Sequence, residues 1–179
     1  KARPGQLLYA STGNGGSPHL AMELFKMEAK IDIGHIPYKG TPPAVTDLVA
    51  GRVQVMMALA SVVMPHLRSQ RLRPIAVTSL TRASVLPDVP AIAEYKPLAT
   101  FELVNFFGMY APAATPDPVI RKLNATVVQA LKTPELATKL KELGFEPAPT
   151  TPEQFRAFIH AESAKFAKVI AEANVKVDE

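Results

Sequence analysis

Ser11-Thr12-Gly13-Asn14-Gly15-Gly16-Ser17 stands between an apolar run at residues 6–10 and a segment, residues 17–29, that reads as an amphipathic helix. The apolar run has the composition of a strand. In the helical segment Pro18 suits a first turn, and Leu20, Leu24 and Met27 recur at helical spacing. The heptapeptide is therefore a strand-to-helix loop. Its glycines permit tight backbone conformations and close approach of a ligand. The helix start beyond it offers N–H groups and the positive end of a dipole. Together these suit a carboxylate or a phosphate; a plain strand-to-helix turn remains the alternative, although one glycine would serve it. Nucleotide phosphates fit poorly. No Gly-Lys-Ser/Thr precedes the helix, and position 18, where the dinucleotide fingerprint needs a glycine, is Pro18.

Working outward, the same alternation repeats. Residues 31–37 read as a strand. Thr41 is expected to cap a helix that has Pro42 at its first position and runs to residues 48–50, where Gly51 stops it. Residues 53–58 form an apolar run too continuous for a half-exposed edge, which predicts a central parallel strand. A short helix over 62–69 and a strand over 73–78 follow. This order argues for an α/β layer with a mostly parallel sheet, whose connections are almost always right-handed. The loops after the strands then share one edge, the carboxyl edge, where ligands of such sheets bind. Pro37-Tyr38-Lys39-Gly40-Thr41-Pro42-Pro43 is a second loop of this kind. It would sit beside the first and bring a second helix N-terminus and a lysine to the same spot, or Tyr38 and Lys39 are simply surface residues at a turn.

Residues 80–100 are broken by Pro87, Pro90 and Pro97 into turns, with one helical turn expected at 91–95. Residues 103–111 read as one more apolar strand. The remainder is helical: one helix from Pro116 or Pro118 to about Leu131, a second capped by Thr133 and ending near Gly144, and a third behind a capping box of Thr151 and Gln154. Phe155, Phe158, Ile159, Phe166, Val169 and Ile170 form one stripe on the third helix, expected to face a core. The early α/β layer already carries its own helices, so this stripe points to a second lobe for which the chain supplies few strands.

Composition excludes several classes. Of 179 residues, 47% are hydrophobic and 20% charged, a globular balance. No apolar run nears the roughly 20 residues that span a bilayer, and the first residues do not read as a secretory leader. The formal charge of +4 is scattered, and Arg68, Arg71 and Arg73 lack interleaved aromatics, so they read as a solvated face rather than a nucleic-acid surface. There is no cysteine. His19, His35, His66 and His160 show no metal-ligand spacing, no G-x-S-x-G elbow is present, and His19, in a first helical turn, reads as a hydrogen-bonding structural residue. No metal, cofactor or catalytic set is expected.

The run YASTGNGGSPHL (residues 9–20), followed by PYKGTPPAVTDL (37–48), AVTS (76–79), LPDVP (86–90), AE (93–94), FGMYAP (107–112) and TP (115–116), resembles the Bug family. These are the TctC-like solute-binding receptors of tripartite tricarboxylate transporters. The resemblance covers nearly the whole chain. It implies a periplasmic-binding-protein type II-like α/β fold, a two-lobed Venus flytrap in the periplasm that closes on a small organic carboxylate and hands it to a membrane permease. It implies binding largely through main-chain amides and ordered waters, at Ser11, Thr12, Gly13, Asn14 and Gly15 in one loop and Tyr38, Lys39, Gly40 and Thr41 in the other. Family members are longer, so the chain is expected to hold one complete α/β lobe, residues 1–102, and the C-terminal part of the other lobe, residues 103–179, as a strand plus helices. Apolar surface on that half-lobe would favour dimers. Many relatives carry Asp where this chain has Gln54, and an acid where it has Ala58. Loss of an acid at Ala58 would disfavour ligands with an ammonium group and favour di- or tricarboxylates or aromatic acids. Phe106 stands where a Trp is usual and would form an apolar wall. Two rival functions are kept: a ligand-sensing regulator on the same scaffold, which lacks a DNA-reading motif here, and an enzyme on an anionic substrate, which lacks a catalytic set.

Overall fold

A computed structural model describes residues 4–176, so the first three and last three positions of the two expected lobes lie outside the described residues. Three parallel strands form the sheet: β1 (Leu8–Ser11), β2 (Gly34–Pro37) and β3 (Val55–Met56), in the order β2-β1-β3. Helix α1 (Ser17–Ala29) links β1 to β2 and α2 (Thr41–Val49) links β2 to β3. Side chains alternate across a strand, and β1 uses this to seat one helix on each face. Tyr9 packs with Met22 and Phe25 of α1, while Ala10 packs with Ala44 and Leu48 of α2. Tyr9 and Ala10 are both fully buried.

The strand order corrects one expectation. Residues 53–58 do not make the central strand: β1 lies in the middle, and β3 pairs it over only two residues. The apolarity of the run has another cause. Val53 is buried under α2, and Val55 and Met57 pack toward α1, so these side chains fill the core without a neighbour on both edges. Gln54 is likewise remote from the carboxyl edge. Its Oε1 accepts from Leu8 N (2.9 Å) and its backbone N donates to Leu8 O (3.0 Å), at the start of β1.

Two expected strands do not form. Within 73–78 only Val77 makes ladder contacts: its N donates to Pro90 O (2.9 Å), and its O accepts from Ile92 N (3.0 Å). Pro74 has no N–H to give, and β3 is too short to template a longer neighbour. The expected helical turn at 91–95 is present as a 3₁₀ turn, Ile92–Glu94, followed by another, Lys96–Leu98. Ile92, Leu98 and Phe101 pack against Leu24 and Phe25, with the Phe25 and Phe101 rings edge to face at 5.9 Å. The irregular crossing thus closes the outer side of α1. Residues 103–111 also fail to form a strand. Leu103 N donates to Thr78 O (3.0 Å), but the segment beyond it has no ladder partner among the described residues. A strand exists only through its neighbour.

Helix α3 (Ala60–Arg68) follows β3, and α4 (Asp117–Leu131), α5 (Pro134–Glu142) and α6 (Pro152–Glu172) complete the chain. The capping box forms as expected: Gln154 N donates to Thr151 Oγ1 (3.1 Å) and Thr151 N to Gln154 Oε1 (2.9 Å). Of the expected α6 stripe, Val169 is buried; Phe155 and Phe158 are only half-buried and pack with Phe106, the latter pair edge to face at 4.9 Å. Phe106 is therefore held by α6 rather than standing in the carboxyl-edge loops. Helix α6 also rests on α1, and Lys165, paired to Glu162 at 2.6 Å, donates to Glu102 O (3.3 Å). Among the described residues no helix is long and apolar enough to cross a membrane.

Candidate functional site

Strand order fixes where the loops go. The chain leaves β1 toward β2, then returns past it to β3, so the crossovers run in opposite directions and a crevice opens outside the carboxyl ends of β1 and β3. The loop 12–16 follows β1, and Ala58, half-buried, follows β3 beside that crevice. The loop 38–40 follows β2 on the other flank of β1. A backbone bond joins the two loops, Tyr38 N donating to Ser11 O at 3.0 Å. The structure thus brings Ser11, Thr12, Gly13, Asn14 and Gly15 together with Tyr38, Lys39, Gly40 and Thr41 around the end of β1.

Local sequence explains the loop shapes. Gly13 has φ +132° and Gly15 φ +74°, where a side chain would be strained. Gly40 has φ +100° and is the N-cap of α2, so Thr41 is the first helical residue and not the cap expected from sequence. Glycine wins that position because the turn out of β2 needs a backbone that threonine adopts poorly. Helices α1, α2 and α3 start at Gly16, Gly40 and Leu59, none with a side-chain cap hydrogen bond and none with an acid in the first turn. All three starts follow strands at the carboxyl edge. Each leaves N–H groups and a positive dipole end without an acid of its own first turn.

Not every amide of the loops is available. Gly13 N donates to Ser11 Oγ (3.3 Å), Gly15 N to His19 Nδ1 (3.0 Å) and Gly40 N to Tyr38 O (2.9 Å). These bonds shape the loops from within. The Tyr38 side chain is also committed: its hydroxyl donates to Asp47 Oδ2 (2.8 Å), and Arg52 holds the other carboxylate oxygen at 2.7 Å. Burial and that hydrogen bond push the Tyr38 hydroxyl pKa up, while the Tyr38 and Arg52 hydrogen bonds hold Asp47 down. Lys39 is exposed and makes no ion pair among the described residues.

Beneath the glycine loop lies a cluster that sequence spacing did not reveal. The His19 and His35 rings stack at 4.0 Å, and Tyr9 stacks with His35 at 4.6 Å. Ser11 Oγ, fully buried, is 2.6 Å from His35 Nε2. Tyr9 donates to Glu23 Oε1 (2.6 Å), which also pairs with Lys26 (2.7 Å). Burial, with neighbouring His19 next, lowers His35 to about 4, and burial raises the Tyr9 phenol. Only the register pairing Tyr9 with His35 across β1 and β2 would have signalled the cluster. A groove of about 520 Å³ between α2 and α3 borders the site at Thr41 and is walled by Pro42, Val45, Val49 and Val62.

The chain matches the family model of the tripartite tricarboxylate transporter family receptor over residues 1–175. It belongs to this receptor family. It is 37% identical, over its whole length, to a protein of Pseudomonas sp. strain P51 encoded in the tcbD–tcbE intergenic region, of which it covers 53%. Its fold is similar to that of R. palustris Rpa4515 with adipate (TM-score 0.86, 33% identity, covering 99% of this chain and 59% of that one). It is also similar to the periplasmic binding protein BugD (TM-score 0.79, 30% identity, 99% and 60%). The α/β architecture is thus that of a periplasmic binding protein, and the chain spans about half the length of the relatives it matches.

Proposed function

We propose that the chain is the carboxylate-gripping part of a periplasmic solute receptor, with the opposing jaw supplied by the rest of a two-lobed protein. The observation that carries this is the set of bare helix starts at α1, α2 and α3 on one sheet edge. A helix N-terminus left without its own acid favours an external anion. Membership in the receptor family and the adipate named with R. palustris Rpa4515 support the same ligand class. In this reading Ser11, Thr12, Gly13, Asn14 and Gly15 line the ligand from one loop and Tyr38, Lys39, Gly40 and Thr41 from the other; the amides of Gly13, Gly15, Tyr38 and Gly40 shape the loops, and contact falls to other loop amides such as those of Thr12, Lys39 and Thr41. Lys39 adds a cation, and Ala58, lacking an acid, leaves an ammonium group unpaired. Di- or tricarboxylates are therefore preferred over amino acids. Residues 1–102 are the complete lobe and 103–179 part of the other. The exposed Phe107, Met109 and Tyr110 would seat the remainder of that second lobe, or pair copies of the chain. The receptor performs no chemistry and passes its ligand to a membrane permease.

The test is a thermal-shift screen of adipate, malate, succinate, citrate and aspartate, on this chain and on a version extended to the relatives' length. A rise with a di- or tricarboxylate in the extended protein, larger than with aspartate, is expected. No rise with any carboxylate, or conversion of one, would refute the reading.

A further inference from the structure

We propose that His19 is a positioning residue for the anion loop: its ring, stacked on His35, accepts the Gly15 amide proton and holds the loop in its ligand-ready shape. The proposal rests on the receptor reading of that loop and adds how the loop is set.

The geometry constrains the ring. Gly15 N–H donates to His19 Nδ1 at 3.0 Å, so Nδ1 carries no proton and the neutral ring keeps its proton on Nε2. That nitrogen faces Glu23 Oε1 at 4.0 Å. His19 is buried, and its orientation is fixed by the stack on His35 at 4.0 Å. His35 is fixed in turn by Tyr9 and by Ser11. The Ser11 hydroxyl donates to Gly13 O (3.1 Å) and accepts from Gly13 N (3.3 Å), so the second imidazole braces the other strained glycine of the same loop. Both positive-φ glycines of the loop are thereby tied to the histidine stack.

Two variants separate the roles of ring and acceptor. His19→Asn places an oxygen acceptor near the Nδ1 position without the ring, and His19→Phe keeps a stacking ring without the acceptor. The readouts are Gly15 amide hydrogen exchange by NMR, adipate affinity in the protein extended to the relatives' length, and melting temperature. Expected are a protected Gly15 amide and near wild-type adipate affinity in H19N. In H19F the amide exchanges faster and affinity drops about tenfold, the worth of one lost hydrogen bond. An H19F protein with wild-type exchange and affinity overturns the proposal. So does equal loss in both variants, which marks a merely structural residue. If the extended wild-type protein binds no carboxylate at all, the receptor reading fails, and the Gly15 exchange comparison still decides whether His19 sets the loop.

Discussion

Helices α1 to α3 and helices α4 to α6 end their first turns in opposite ways. The first three have no side-chain cap and no acid. The last three carry Asp117, Glu135 and Glu153 in their first turns, and α6 adds a capping box. The burial pattern is reversed. The α/β region closes a core around Tyr9, Met22 and Ala10, whereas α4 and α5 have no buried residue and Phe107, Met109 and Tyr110 are at least 70% exposed. One region finishes its interior and leaves its first helical turns without an acid; the other places an acid in each first turn and leaves apolar surface open. The open ends suit a small anion and the open surface suits protein, which is how a half of a two-lobed receptor would divide its work.

Truncation of side chains probes the contrast most strongly. Phe101→Ala, at a fully buried ring against Phe25, is expected to cost about 3–5 kcal/mol in urea unfolding. A cost below that of an exposed aromatic would break the comparison. Acid titration comes next. His35 has its pKa lowered from 6.5 to about 4, so the unfolded chain takes up the proton first. Its contribution to stability is present above the unfolded value of 6.5 and is lost as pH falls through the folded value of about 4. Melting curves at stepped pH should show that fall, and His35→Gln should flatten it.

Charge at the helix starts gives two smaller tests. Ser17→Asp would give α1 the acid that α4 to α6 already have. It should stabilise the fold by about 0.3–1 kcal/mol while weakening carboxylate binding about tenfold, through like charge at the same dipole end. Tighter binding would mean that the α1 start does not face the ligand. Thr151→Ala removes the α6 cap and should cost about 1 kcal/mol in the same unfolding assay, without effect on ligand. Phe107→Ala, at a side chain 76% exposed, should stay within about 0.5 kcal/mol of wild type in this chain. A larger loss would show that the face is already covered by a second copy.

Much of the site could be read in advance because it is local. A glycine run between an apolar strand and a proline-started helix specifies a loop at a helix N-terminus whatever surrounds it, and the Thr151–Gln154 box specifies its own cap. Helix positions were legible for the same reason: α1, α2 and the capped start of α6 depend on spacing and end residues within a few positions. Residues 73–78 and 103–111 were misread because apolar β-favouring composition fits any extended segment, while a strand needs a hydrogen-bonded neighbour. The central place of β1 was equally hidden, since residues 53–58 are just as apolar.

Sequence alone thus determined that two glycine-bearing loops start helices, while the cap of the second start, expected at Thr41, is Gly40 in the structure. Tertiary structure decided that both loops meet at the end of β1. It also decided that the amides of Gly13, Gly15, Tyr38 and Gly40 are spent on internal bonds, and that His19 and His35 stack beneath them. The physical reason is range. Backbone conformation and capping are set by neighbours along the chain, whereas the histidine stack exists only because the parallel register lays His35 beside Tyr9 and α1 folds back over both.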